Sequence, residues 1–115
     1  MTESIKDRVA IIGMGCTQFG ELWDKSRVDL VVEAAKEAYA DAGLEQKDIQ
    51  AGWVSTYYDT SGITGQALAA PLRLPYLPIT RVENACASAS DALRNASYAV
   101  AAGIYDRVLV VGVEK

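Results

Sequence analysis

Val9-Ala10-Ile11-Ile12-Gly13 is a continuous apolar run closed by a glycine. A run of this length without polar alternation predicts a strand buried on both faces, the kind that builds parallel sheets. That constrains the rest of the chain, because a sheet buried on both sides needs helices to cover it.

The sequence that follows supplies them. GMGCTQFG, residues 13–20, predicts a loop, and a helix follows from about Ser26 to Ala42. Ser26 is placed to cap it, with Asp29 three residues on in a capping-box position, and Gly43 to close it. Val28, Val31, Val32, Ala35, Ala38, Tyr39 and Ala42 recur at helical spacing and predict one apolar face. Residues 50–58, QAGWVSTYY, predict a second strand, with Trp53, Tyr57 and Tyr58 as core and strand-face residues. Residues 59–70 predict a short helix. Pro71, Pro75 and Pro78 then predict an extended connector, since each proline disfavours helix in the residue before it. ITRVEN, residues 79–84, predicts a third strand. From Cys86 to about Ala102 the small side chains predict a helix ended by Gly103, and RVLVVGVEK from Arg107 predicts a fourth strand. Strands alternating with helices give an α/β fold on a parallel sheet with right-handed crossovers.

Composition narrows the function classes. The 115 residues suit one domain with one core. The net charge of −4 and the scattered arginines and lysines argue against nucleic acid as a partner. No stretch approaches the roughly 20 apolar residues that span a bilayer. The N-terminal apolar run is too short and glycine-rich for a signal peptide, so the expected location is cytoplasmic, off the membrane. Cys16 and Cys86 are far apart and form no disulfide framework or metal-ligand spacing, so no metal is expected. There is no histidine, which removes the commonest general base.

Two segments invite chemistry. GMGCTQ after the first strand compares with the dinucleotide fingerprint, but Gln18 stands where the third glycine belongs and the helix begins several residues later. A tight turn is the expected reading. Cys86 is better placed. With the helix starting at Ala85 or Cys86, the sulfur would sit beside unpaired backbone N–H groups at the positive end of the dipole. Cysteines at helix N-termini are often more readily ionised and more reactive. The alternative is a packed cysteine in an alanine-rich core helix, because free cysteine is among the most buried residue types. On the residues alone both readings stand. Asn84 is placed to cap the helix.

Glu83-Asn84-Ala85-Cys86-Ala87-Ser88-Ala89-Ser90-Asp91-Ala92-Leu93 resembles the nucleophile segment of the thiolase superfamily. It is similar to the sterol-carrier-protein-2-type and archaeal acetyl-CoA acyltransferases, whose cysteine lies in an N-x-C-A-S-G-S pattern. VAIIGMGCTQFG, with Thr17, Phe19 and Gly20 in matching places, and YDRVLVVGVEK resemble the same group. The resemblance spans nearly the whole chain, and Ala89 departs from it where the family usually has glycine.

The resemblance implies a thiolase-like fold, of which residues 1–115 would be the N-terminal βαβαβαβ portion of a layered α-β-α-β-α architecture on a mostly parallel sheet. It implies an acyl-CoA acyltransferase of lipid metabolism, cleaving a 3-ketoacyl-CoA or condensing acetyl-CoA. Cys86 would be the nucleophile that carries the acyl group as a thioester. Its backbone N–H would contribute to an oxyanion hole. Coenzyme A thioesters enter as substrates, no other cofactor is implied, and no cofactor-binding residue is assigned. Arg81 and Arg94 are candidates for a CoA phosphate, with a surface or subunit-interface role as the plainer expectation. The family's activating histidines and second catalytic cysteine have no counterpart here. The chain is therefore expected to be the N-terminal piece of a longer polypeptide, or a subunit completed by a partner chain, and inactive by itself. A homodimer or homotetramer through residues 79–90 is expected. The alternatives are another condensing enzyme of the superfamily, a hydroxymethylglutaryl-CoA synthase or a ketoacyl synthase, and a non-catalytic thiolase-like subunit.

Overall fold

Helix α1, Arg27–Ala42, is set at both ends by its own residues. The Ser26 hydroxyl accepts from Asp29 N–H at 3.2 Å, and the Asp29 carboxylate accepts from Ser26 N–H at 2.7 Å, a complete capping box. Gly43 closes it in the left-handed region at φ 65°, where a side chain would be strained. These elements are read from a computed structural model that describes residues 3–58 and 64–115. A 3-10 turn at Gln46–Asp48, which no sequence signal announced, leads into strand β1, Ala51–Ser55. Helix α2 is Gln66–Leu72, strand β2 Ile79–Val82, helix α3 Ser88–Ala101 and strand β3 Val108–Gly112.

The three strands are parallel in the order β2-β1-β3. The middle strand, β1, is buried along its whole length. Its side chains alternate between two apolar layers. Val54 packs with Val31, Ala35, Leu68, Leu72, Leu109 and Val111, the layer that α1 and α2 cover. Ala51 and Trp53 pack with Ala92 and Ala96 of α3, and Trp53 meets the Tyr105 ring edge-on at 6.2 Å. Helices on both faces are what a parallel sheet demands.

The structure corrects the sequence reading of the elements that pack around the sheet. Val9–Gly13, expected as a buried strand, pairs with no strand among the described residues. The segment runs along α1 in the opposite direction. Met14 N–H donates to Asp41 and Cys16 N–H to Glu37, each at 2.9 Å. A β-carbon on Gly15 would lie 2.1 Å from the Ala34 carbonyl oxygen, so glycine is what permits this approach. Ile11 and Ile12 remain 66% and 56% exposed. They border an apolar cavity of about 460 Å³ between this segment and β3, walled by Ala34 and Ala38 of α1 and by Leu93 and Ala96 of α3. The run has a strand's composition, and an empty gap stands where its ladder partner would be.

Pro71 was expected in an extended connector and lies inside α2. A proline has no N–H to offer the carbonyl four residues back, here Ala67. Arg27 of α1 donates to that oxygen at 2.9 Å, so the helix passes through. Of the short helix expected over 59–70, residues 59–63 lie outside the described residues. Tyr57 and Tyr58, expected as core or strand-face residues, are exposed beyond the end of β1 and stack edge-to-face on each other at 4.4 Å. Val28, assigned to the buried face of α1, is 43% exposed because that face turns inward only from Val31.

Candidate active site

The parallel register aligns Ser55 with Val82 on one side and Gly112 on the other, so the three strands finish along one edge of the sheet. In open α/β sheets this carboxyl edge is where ligands bind. Cys86 lies four residues beyond β2, in the turn that leads to α3, and is exposed.

The turn differs from the one expected. α3 begins at Ser88, so Cys86 precedes the helix instead of opening it. Asn84 does not cap it. The N-cap position is Ala87, and no side chain caps the end. Beyond Ser88, whose N–H is taken by the turn, the Ala89 and Ser90 N–H groups have no protein partner among the described residues and stand at the positive end of the helix dipole. Asp91 in the first turn offsets part of that field.

Side chains from both ends hold the turn. Ala85 has φ 49°, a left-handed conformation uncommon for a residue with a β-carbon. Glu83 accepts from Ala85 N–H. The Ser88 hydroxyl, on a buried residue, accepts from Asn84 N–H at 2.7 Å and donates to the Ala85 carbonyl at 2.6 Å. Ser88 N–H reaches the same carbonyl at 3.1 Å, and Ala87 N–H donates to the Asn84 carbonyl at 3.0 Å.

Small residues seat the start of α3 on the sheet. A β-carbon at Gly112 would lie 3.1 Å from the Ala89 methyl and 3.2 Å from Ser55 Oγ. The extra methyl at Ala89 is accommodated because β3 has none opposite. Two residues on, the Glu114 carboxylate accepts from Tyr57 N–H at 2.6 Å and Tyr58 N–H at 2.9 Å, tying the ends of β1 and β3 together. Arg81 donates to the Thr56 carbonyl at 3.1 Å, while its Nε is buried with no partner among the described residues. Sequence reasoning passed over Ser88, Glu83 and Glu114. A hydroxyl two residues beyond the cysteine was the available signal for Ser88.

The other candidates do not converge on Cys86. Cys16 is exposed in the segment along α1, where its thiol donates to the Thr17 carbonyl at 3.3 Å. Arg94 is paired with Asp91, which raises its pKa, and lies 5.8 Å over the Tyr98 ring. With Asn84, Ala87, Ser90 and Asp91 it borders an open cleft of about 290 Å³ beside the turn. Residues 13–18 form no turn but continue along α1, which corrects the tight turn expected there, and the next helix begins only at Arg27. Among the described residues no group of histidine, cysteine, aspartate or glutamate could hold a metal ion, and no helix is long and apolar enough to cross a membrane.

Comparison with known proteins bears on this edge of the sheet. The family model described as the thiolase N-terminal domain matches residues 9–115. Over 113 residues the chain is 48% identical to an acetyl-CoA acetyltransferase of Methanocaldococcus jannaschii, covering 93% of this chain and 28% of that protein. It is 34% identical over 110 residues to sterol carrier protein 2 of Gallus gallus, covering 94% of this chain and 20% of that protein. The solved structure of the Ltp2-ChsH2(DUF35) aldolase superposes with a TM-score of 0.68 at 35% identity, over 84% of this chain and 25% of that one. The chain thus spans under a third of the length of the relatives it matches.

Proposed function

The chain belongs to the thiolase N-terminal-domain family, and on that premise we propose that it is the nucleophile-bearing part of an acyl-CoA acyltransferase. The observation that carries this reading is the exposed Cys86, set at the carboxyl edge of a parallel sheet ahead of an uncapped helix. The chemistry asked of it is covalent acyl transfer. The thiolate sulfur attacks the thioester carbonyl of acyl-coenzyme A, and the π pair moves to oxygen. The tetrahedral anion then collapses, expelling the coenzyme A thiolate, which takes up a proton. One carbon–sulfur bond forms and one breaks, with no change of oxidation state. The uncapped N–H groups of α3 favour negative charge at this place. The proton acceptor that activates Cys86 is not a histidine of these residues, since there is none. We therefore expect no turnover from the 115-residue chain by itself. The outer edge of β2, unpaired among the described residues, supports pairing across a twofold axis near residues 79–90.

A second reading is favoured by the 35% identity to a protein whose structure is titled the Ltp2-ChsH2(DUF35) aldolase. In that reading the chain works with a second polypeptide on a carbon–carbon bond, and Cys86 carries no acyl group.

One experiment separates the two. The 115-residue chain is incubated with acetyl-CoA at about pH 9, above the roughly 8.5 of an ordinary thiol, so that no protein base is needed. Intact mass is then measured. Acyl transfer predicts one acetyl group on Cys86, removed by hydroxylamine and absent from Cys86→Ala. Acetylation that persists in that variant, or none in the parent, overturns the proposal.

A further inference from the structure

We infer that Ser88 is a positioning residue for Cys86, an inference that rests on the acyl-transfer reading above. The turn from Glu83 to Ser88 must hold Ala85 in a left-handed conformation without glycine or asparagine to ease it. Left alone, that residue would relax toward the right-handed or extended regions, and Cys86, the next residue along, would rotate with it.

Ser88 opposes this relaxation with one atom. Its Oγ takes the Asn84 N–H at 2.7 Å and gives its proton to the Ala85 carbonyl at 2.6 Å, so it grips the chain on both sides of the strained residue. The hydroxyl sits on the first residue of a helix and reaches back into the turn, where a conventional cap would reach forward from Ala87. Ser88 is 6% exposed, so water is poorly placed to substitute for either bond. The Glu83 carboxylate on Ala85 N–H closes the turn from the solvent side but belongs to an exposed residue. The buried contact is therefore the one that decides where the sulfur points.

The effect of such a residue falls on the rate of bond formation, since the thiol itself is untouched. Misplacement of a nucleophile by about 1 Å costs up to a hundredfold in rate. Ser88→Ala is expected to lower the first-order acetylation rate of Cys86 at saturating acetyl-CoA by at least about tenfold. The concentration for half-saturation should be unchanged, and Cys86 should still be alkylated by iodoacetamide. Ser88→Thr keeps the hydroxyl and should recover the rate to within about threefold. Ser97→Ala, which removes a hydroxyl bonded to the Leu93 carbonyl further along α3, should leave it unchanged.

A Ser88→Ala rate equal to the parent's overturns the inference and leaves the acyl-transfer reading intact. A parent chain that takes no acetyl group, while iodoacetamide labels Cys86, overturns the reading and the inference with it. Should Ser88→Ala not fold, Ser88→Thr decides, because a folded Thr variant that has lost acetylation contradicts a role for the hydroxyl.

Discussion

The two ends of this chain are equally apolar in sequence and opposite in structure. β3, at Val108–Gly112, pairs along its length with β1 and buries Leu109 and Val111 in the core. Residues 9–15, with Val9, Ile11 and Ile12, pair with no strand among the described residues and leave both isoleucines more than half exposed. The difference is one of neighbours. β3 finds β1 beside it and α3 above it. Residues 9–15 find only α1, to which they are held by two backbone N–H groups on carboxylates and by glycines that allow close approach. Hydrophobicity marks a segment for burial, while a ladder partner decides whether it becomes a strand.

The largest effect expected from this contrast lies on the paired side. Leu68 of α2 is fully buried against β1 in the layer shared by Val54, Leu109 and Val111. Leu68→Ala should cost about 3 kcal/mol through lost transfer energy and the cavity left behind. Urea unfolding would read it as a lower midpoint with an unchanged slope. A loss below about 1 kcal/mol would mean that this layer collapses freely and that the two regions are alike.

Gly15→Val should cost less, about 2 kcal/mol, because it strains only the loosely held segment. Its β-carbon meets the Ala34 carbonyl at 2.1 Å and Ala38 N at 2.7 Å, so the segment must lift from α1. Limited proteolysis should then cut within residues 9–20 before any site in β1 or β3. Unchanged cleavage would show that residues 9–15 do not depend on the contact with α1.

What the sequence disclosed follows the range over which each feature is decided. Ser26, Asp29 and Gly43 announce α1 because capping is settled within four residues. The helix through Pro71 was illegible because the group that satisfies Ala67, Arg27, lies 40 residues away. The start of α3 was placed two or three residues early because Ala85 takes a left-handed turn that no local residue type signals. The proposal for Cys86 arose from its neighbours in sequence. The hydroxyl that holds its turn and the glycine that makes room for Ala89 became visible only when β2, β3 and α3 met along one edge.

The smallest effect lies at the junction of the two regions. Ser26 ends the loose segment and caps α1, and its hydroxyl and backbone N–H, both bonded to the Asp29 carboxylate, hold that carboxyl below the usual aspartate range. A carboxyl whose folded pKa is depressed contributes stability above its unfolded value, near 3.9, and loses it as pH falls through the folded value. Lys25, one residue earlier, is raised by its bond to Glu33, so its contribution is present below its ordinary value and lost as pH rises past the folded one. Ser26→Ala should cost about 1 kcal/mol at neutral pH, the usual worth of a helix cap. It should also flatten the fall of the urea midpoint below about pH 4, while leaving the alkaline limb governed by Lys25 in place. An acid limb as steep in Ser26→Ala as in the parent would show that the bonds from Ser26 to Asp29 do not set that pH dependence. The helix cap would then contribute its stability independently of pH over that range.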